Sequence, residues 1–287
     1  MQECFTSRLS QAIRNQGAAV VGLDPRIGAL PAGLAPAAEP VERILAFYSE
    51  ILPVIARHAA LVKPNIAFFE RFGPAGYEVY VETCRQARSA GLIVIGDVKR
   101  GDIGSTAEAY AEEHFRHADA LTVHPYLGSD SVKPFLERCA DGDRGVFVLV
   151  RTSNPSAVEF QDLPVPGGTL SQAVARAVAG WAQDVAPAGD GYSPVGAVVG
   201  ATGTTHLQSF RELMPRSWLL IPGVGAQGGR VQDSARAFDA TGLGALVSQS
   251  RGVMQCFAPD EEDWHGKIEA ALLNFIQELS IHCRQGP

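Results

Sequence analysis

The sequence of 287 residues predicts an α/β fold, namely a single (β/α)8 TIM barrel. Three observations predict this fold: eight short apolar runs, amphipathic stretches between them, and polar residues at the C-terminal ends of the runs. Apolar runs of this length are typical of strands that are buried on both faces. Eightfold alternation of strand and helix favours a closed parallel barrel, and a doubly wound open sheet is the alternative.

The predicted elements alternate along the whole chain. Strands are predicted at residues 18–24, 61–65, 92–99, 120–126, 145–152, 195–202, 218–225 and 245–252. Amphipathic stretches that predict helices include residues 40–58, 76–90, 169–185 and 230–240, and a C-terminal helix is expected at about 261–281. We therefore expect residues 1–287 to form one barrel domain with N- and C-terminal helical extensions.

One segment interrupts this alternation. Residues 154–168, which follow the fifth predicted strand, are rich in Pro and Gly. We expect them to form a long loop without regular structure, and loops of this kind are often active-site lids.

Composition narrows the class of protein. With 46% hydrophobic and 19% charged residues, the chain suits a globular protein with a large core. The net charge is −7 and Lys and Arg form no stripe, which argues against nucleic-acid binding. No apolar stretch reaches the ~20 residues that cross a bilayer, so no membrane segment is expected, and the N-terminus does not resemble a signal peptide.

The five cysteines are scattered and show no Cys-x-x-Cys spacing. We interpret them as reduced thiols of a cytoplasmic protein, not as a disulfide framework or a zinc site. Because the chain is acidic overall, any site for an anionic ligand must gather its positive charge in one pocket.

The third predicted strand ends in a charged motif, Asp97-Val-Lys99-Arg-Gly-Asp102. Side chains two residues apart on a strand point to the same face, so Asp97 and Lys99 are expected to point together into the barrel mouth. Asp102 lies just past the strand, where an N-cap of the next helix is the structural alternative to a functional role. A structural ion pair is the corresponding alternative for Asp97 and Lys99.

Lysine is rare in this chain, with four residues in all, and two of them end apolar strands. A charge in such a position must be paired, which makes Lys63 and Lys99 candidates for function. Carboxylates that flank Lys99 would keep it protonated. A protonated lysine in this setting is a suitable proton donor to a carbanion.

Glycines and an arginine follow the last two predicted strands. The seventh strand leads into Pro222-Gly-Val-Gly-Ala-Gln227-Gly228-Gly229, and the eighth ends in Ser250-Arg251-Gly252. Many barrels bind a phosphate group with the loops that follow these two strands. Backbone N–H groups at glycines and the planar guanidinium of Arg251 suit phosphate oxygens, so we expect a phosphorylated small molecule as ligand.

Taken in order, these motifs resemble the orotidine 5′-monophosphate decarboxylase family, and in particular its longer bacterial branch. The matching segments cover nearly the whole chain. They are Leu23-Asp24-Pro25, Lys63-Pro64-Asn65, residues 97–106, Arg151-Thr152-Ser153-Asn154-Pro155, residues 222–229 and Ser250-Arg251-Gly252.

The resemblance implies a role for each matching residue. The catalytic residues would be a charged tetrad made of Lys63, Asp97, Lys99 and Asp102. Substrate binding falls to residues that hold the ribose, the pyrimidine or the phosphate: Asp24, Ile103, Thr106, Ser153, Pro222, Gln227, Gly228 and Arg251. Asp102, Ile103 and Thr106 would enter the site of a neighbouring subunit, which implies a homodimer with shared active sites.

The resemblance also implies the reaction, in which orotidine 5′-monophosphate loses CO2 to give UMP without a cofactor or metal ion. It assigns no role to Asn65 or Asn154, and we interpret His124 as a strand-end histidine satisfied by hydrogen bonds. Two other functions stay open: a related magnesium-dependent barrel that acts on sugar phosphates, and a silent nucleotide-binding barrel. The chain has no recognisable phosphoribosyltransferase segment, although such an enzyme could be its partner.

Overall fold

The computed structural model describes residues 3–185, 191–201, 204–225 and 228–283. Eight parallel strands form a closed barrel, which confirms the predicted fold class. An antiparallel hairpin, β6–β7, lies outside it. The strands are β1 (Ala19–Leu23), β2 (Leu61–Pro64), β3 (Ile93–Arg100), β4 (Ala120–Val123), β5 (Gly145–Arg151), β6 (Pro164–Val165), β7 (Gly168–Thr169), β8 (Ser193–Val199), β9 (Ser217–Ile221) and β10 (Ala245–Gln249).

Around the barrel the strands follow the order β1-β10-β9-β8-β5-β4-β3-β2. Their residues are almost entirely buried, because the barrel interior covers one face and the helices cover the other. The α-helices are α1 (Phe5–Gln16), α2 (Pro40–Ala56), α3 (Ala67–Glu70), α4 (Gly73–Ser89), α5 (Gly104–His117), α6 (Ser129–Ala140), α7 (Leu170–Asp184), α8 (Thr204–Leu213), α9 (Arg251–Met254) and α10 (Trp264–Cys283).

The two terminal helices are attached differently. Helix α1 packs against the start of β5, where a methyl group on Gly145 would lie 2.2 Å from the Phe5 ring. An ion pair of 3.2 Å between Arg8 and the buried Asp119 adds to this contact. Helix α10 packs against α2 and β1, and it buries one apolar face with Ile268, Leu272, Phe275 and Leu279.

The segment 154–168 is not the unstructured loop that its composition predicts. It contains a 3₁₀ helix, Pro155–Glu159, and the β6–β7 hairpin. The Arg151 guanidinium binds both carboxylate oxygens of Asp162, at 2.9 and 3.0 Å, and so attaches the segment to the end of β5. The ion pair between Arg151 and Asp162 thus stabilises a folded segment that the local composition does not predict.

The stretch 230–240 also differs from its prediction. Its apolar spacing predicts an α-helix, but the structure forms a 3₁₀ helix over Val231–Ala237. Helix α10 packs against this segment, which buries Val231 and Ala237 without completing an α-helix. In the described ranges, no helix is both long and apolar enough to span a membrane.

Candidate active site at the barrel mouth

A cavity of about 330 Å³ opens at the C-terminal ends of the barrel strands. This is the end of the barrel where the sequence places its polar residues. Seven of the predicted site residues line the cavity: Asp24, Lys63, Asp97, Lys99, Ser153, Pro222 and Arg251. Asn65, Thr122 and Asn154 also line it.

Asp97 connects the two lysines of the cavity. Lys63 Nζ donates to Asp97 Oδ2 at 2.8 Å, and Lys99 Nζ donates to Asp97 Oδ1 at 2.5 Å. The side chains of Asp97 and Lys63 are buried, whereas that of Lys99 is 48% exposed and faces the open part of the cavity. One carboxylate therefore fixes one buried ammonium group and one accessible ammonium group.

The pKa values in this cluster follow from burial and from the paired charges. Burial alone would raise the pKa of Asp97, but Lys63 and Lys99 outweigh it and hold that pKa well below its usual range. Burial alone would lower the pKa of Lys63, but Asp97 and Asp24 outweigh it and raise that pKa. Both groups of the buried pair are therefore charged at neutral pH.

The backbone at Lys99 is in the left-handed region, with φ 46°. A non-glycine residue in this region costs on the order of 1–3 kcal/mol, so the surroundings must hold it there. Such positions cluster at functional sites. Asp97 and Lys99 do meet, as their spacing predicts, but they do so through a distorted strand and not through a regular one.

Thr122 is a member of the site that the sequence analysis missed. It lies in β4 and is 1% exposed. Its hydroxyl donates to Asp97 Oδ1 at 3.0 Å and accepts from the Lys99 backbone N–H at 3.0 Å. The only signal in the sequence is one hydroxyl residue inside an apolar strand, and Thr is common in strands for other reasons.

Arg100 anchors the end of β3 from the other side. Its guanidinium binds Glu70 Oε1 at 2.5 Å and donates to His114 Nε2 at 3.2 Å. It also lies over the Tyr110 ring, 5.4 Å from the centroid. Burial and the Arg100 charge lower the pKa of His114 to about 4, which keeps this histidine neutral and able to accept.

The glycine-rich segment after β9 turns sharply beside Arg251. Gly223, Gly225 and Gly228 have φ values of 95°, 79° and 88°, which residues with a side chain rarely adopt. The Gly225 N–H donates to the Gly229 carbonyl at 2.8 Å and closes the turn. Gln227, a predicted phosphate ligand, lies outside the described residues.

Two further oxygen atoms in this region stand out. Asp24 Oδ1 and Ser250 Oγ are buried and have no hydrogen-bond partner among the described residues. Both residues line the cavity. Buried polar atoms are nearly always paired, so atoms of this kind in a cavity wall are suited to a ligand's hydroxyl groups.

Asp102, Ile103 and Thr106 do not line the cavity of their own chain. The Ile103 side chain is 58% exposed, and Thr106 is also exposed. Asp102 is not the N-cap of α5, because that position belongs to Ile103, whose N–H donates to Asp102 Oδ1 at 2.8 Å. The structure therefore brings seven of the predicted residues together, and it leaves these three and Gly228 outside the lining of the cavity.

His124 is partly buried at the end of β4, and its backbone N–H donates to the Arg100 carbonyl at 3.1 Å. A methyl group on Gly101 would lie 2.4 Å from His124 Nε2, so the ring rests directly on the backbone before Asp102. Within residues 3–185, 191–201, 204–225 and 228–283, no group of three or more His, Cys, Asp or Glu residues is arranged to hold a metal ion.

Known proteins resemble this chain over most of its length. A curated orotidine 5′-phosphate decarboxylase from Rhodopirellula baltica is 43% identical over 298 aligned positions, which cover 96% of this chain and 98% of the relative. The solved structure of Leishmania donovani OMP decarboxylase is 33% identical, with a TM-score of 0.76, and covers 96% of this chain and 99% of its own. Leishmania donovani UMP synthase is 35% identical, with a TM-score of 0.81, over 99% of this chain but only 57% of its own length.

The sequence profile of the orotidine 5′-phosphate decarboxylase / HUMPS family matches residues 33–260, which include every predicted site residue except Asp24. With this match and with close relatives along nearly its full length, the chain belongs to the orotidine 5′-phosphate decarboxylase / HUMPS family.

Proposed function

We propose that this chain converts orotidine 5′-monophosphate to UMP and CO2, with Lys99 as proton donor and with neither a cofactor nor a metal ion. The observation that carries this proposal is the cluster in which Asp97 pairs with both Lys63 and Lys99 at the cavity wall. Its relatives at 43% and 33% identity bear the names of this enzyme. Decarboxylation is a step of pyrimidine nucleotide synthesis.

The charge of the cavity suits such a substrate. Three cationic residues and two carboxylates line it, namely Lys63, Lys99 and Arg251 with Asp24 and Asp97. The net charge of +1 attracts a phosphate monoester, although the protein as a whole carries −7. We assign the phosphate to Arg251, Gln227 and Gly228, and the ribose hydroxyls to Asp24 and Lys63.

The chemical step needs a group that stabilises charge on one carbon. Heterolysis of the bond between C6 and the carboxyl carbon releases CO2 and leaves an electron pair on C6 with little delocalisation. Enzymes lower such barriers by up to about 23 kcal/mol. The Lys99 ammonium is preorganised to stabilise this charge and then gives its proton to C6, after which the neutral amine regains a proton from water.

Asp97 has a second effect in this proposal. Its carboxylate stays ionised and would repel the substrate carboxylate, which favours the departure of CO2. We treat this repulsion as secondary, because the Asp97 contacts with Lys63 and Lys99 already account for its place in the site. Ser153 and Pro222 would contact the pyrimidine.

Asp102, Ile103 and Thr106 lie outside the cavity of their own chain, and in this proposal they act in a second copy of the chain. The loops after β3 and β4 are neighbours, and they expose Ile103, Tyr126 and Leu127 by 58%, 85% and 46%. An apolar surface of this kind favours association, and two-fold symmetry is the commonest solution. We propose a homodimer in which Asp102, Ile103 and Thr106 of each subunit complete the partner's site.

Loops at the mouth would close over the bound nucleotide. We propose that binding energy from the phosphate is used to hold segment 154–168 over the base. The 3₁₀ helix and the β6–β7 hairpin give this segment internal order, so it would move as a folded unit. A second expected lid segment, 226–232, begins outside the described residues. We also propose that residues 1–287 act as one domain with helical extensions at both ends, in the cytoplasm.

Product analysis tests the reaction. Purified protein is mixed with orotidine 5′-monophosphate in EDTA, and UMP is measured by chromatography together with released CO2. We expect the two products in equal amounts. Absence of both from a folded protein would contradict the proposed function.

The same experiment separates the two other functions. Activity on a sugar phosphate that appears only with magnesium would support a metal-dependent function. Lys63 argues against that function, because it places a cation beside Asp97, where a metal ion would need a free carboxylate. Tight UMP binding without turnover would support a silent nucleotide-binding barrel.

A further inference from the structure

We infer that Thr122 is a positioning residue for the proton-donating arm: its hydroxyl fixes the Asp97 carboxylate and the Lys99 backbone relative to each other. This inference rests on the proposed function and assigns a role to a residue outside the charged tetrad. Thr122 need not touch the substrate to act in this way, because it works through Asp97 and Lys99.

The pairing of β3 with β4 shows why a side chain is needed at this point. Gly96 pairs with Leu121, and the next paired residues are Arg100 and Val123. Between these pairs, β3 contains three residues, 97–99, where β4 contains only Thr122. The regular ladder of backbone hydrogen bonds is therefore interrupted over the segment that carries Asp97 and Lys99.

The Thr122 side chain replaces the missing ladder contact. Its Oγ1 accepts from the Lys99 N–H at 3.0 Å, and this contact holds the residue whose φ is 46°. The same oxygen donates its hydrogen to Asp97 Oδ1 at 3.0 Å. Lys99 Nζ in turn donates to Asp97 Oδ1 at 2.5 Å, so the contacts form a closed ring.

The direction of each hydrogen bond in this ring is fixed. A backbone N–H can only donate, so the Thr122 oxygen must accept from Lys99. An ionised carboxylate can only accept, so the single hydroxyl hydrogen must point to Asp97. Because the pKa of Asp97 lies well below its usual range, this arrangement persists at neutral pH. The ring therefore holds the ammonium group in one place.

Substitutions that keep or remove the hydroxyl test this role. Thr122→Val has a similar shape but leaves the Lys99 N–H and one Asp97 contact without a partner, whereas Thr122→Ser keeps both contacts. Thr83→Val is the matched control, because Thr83 is also fully buried and its hydroxyl, among the described residues, bonds to the Val79 carbonyl within α4 alone. Thr122→Ala removes the same hydroxyl should the valine variant fail to fold.

We expect Thr122→Val to lower kcat by about 100-fold, the loss that follows when a reacting group is misplaced by about 1 Å. The Kd for UMP should stay close to that of the wild type, because phosphate and ribose contacts are untouched. Thr122→Ser and Thr83→Val should retain nearly the wild-type kcat.

Each outcome bears on a separate claim. If the wild type itself releases no CO2, the proposed function fails, and this inference fails with it. If the wild type is active and Thr122→Val or Thr122→Ala keeps its kcat, the positioning role alone is wrong. A Thr122→Ser variant as slow as Thr122→Val would also contradict it, because the methyl group and not the hydroxyl would then matter. A uniform loss of stability and UMP binding in Thr122→Val would indicate a purely structural residue.

Discussion

Asp97 is the residue on which the charged cluster depends. Burial alone would raise its pKa, but Lys63 and Lys99 lower it, so its ionised form stabilises the folded state. That stabilisation is fully present above the pKa of about 3.9 that an unfolded aspartate has. It is lost as the pH falls from there through the lower pKa of the folded state.

The pH dependence of stability follows from this linkage. Between about pH 5 and about pH 3, Asp97→Asn should lose about 1 kcal/mol less free energy of unfolding than the wild type does. Urea denaturation at the two pH values measures the difference. Asp141→Asn, which changes an exposed carboxylate, is the control. Equal losses in the wild type and in Asp97→Asn would show that Asp97 is not held ionised by its neighbours.

The charged residues of the site were predictable from the sequence, whereas the backbone conformation at Lys99 was not. Lys63, Asp97 and Lys99 are recognisable because charges at the ends of apolar strands are rare and must be paired. Thr122 and the left-handed backbone of Lys99 are not recognisable, because both depend on how two strands fall out of register. Asp102 was placed correctly after the strand, but its role as an alternative N-cap was wrong.

Among the elements, the contact between β8 and the loop after β5 sets the position of Ser153. Gly200 follows β8, and a methyl group there would lie 2.8 Å from the backbone of Ser153. Backbone cannot move aside as a flexible side chain can, so any substitution at Gly200 must displace the segment that carries Ser153.

A substitution tests whether Ser153 contributes to binding. We predict that Gly200→Ala weakens UMP binding by about tenfold, the loss expected for roughly one hydrogen bond. Isothermal titration calorimetry measures it. Gly180→Ala, in α7 where a methyl group meets nothing within 4 Å, should leave binding unchanged and stabilise the helix by about 0.5–1 kcal/mol. An unchanged Kd in Gly200→Ala would remove Ser153 from the proposed site.

Most elements were predictable from periodicity because each strand is buried on both faces and each long helix on one. The amphipathic stretch at 40–58 corresponds to α2, and 169–185 corresponds to α7. Elements that depend on tertiary contacts were not predictable: the 3₁₀ helix at Val231–Ala237 and the folded segment attached through Asp162.

For the whole molecule, closure of the barrel explains how residues distant in sequence form one cavity. Lys63, Lys99 and Arg251 end or follow three different strands, and the barrel brings their strand ends to one mouth. The sequence could predict this closure because eight equivalent strand-helix units leave few other arrangements. The sequence could not reveal how subunits assemble. The expectation of a homodimer rests on the family resemblance alone.

A mixing experiment tests the proposed shared sites. Lys99→Ala and Asp102→Ala should each be inactive as homodimers. In heterodimers, one site would carry both substitutions and the other none, so an equal mixture should recover about a quarter of the wild-type activity. The mixture is assayed after dissociation and reassembly. No recovery in a mixture that has exchanged subunits would show that Asp102 acts within its own chain.

The rate at which orotidine 5′-monophosphate absorbance changes in EDTA, measured for the wild type and for Lys99→Ala, tests the proposed reaction and its proton donor together. The wild type should convert the substrate completely to UMP. Lys99→Ala should fold and bind UMP, but its kcat should fall by at least about 10³-fold, because it lacks both the proton donor and the preorganised positive charge. A Lys99→Ala protein that retains substantial turnover would contradict the role of Lys99 as proton donor.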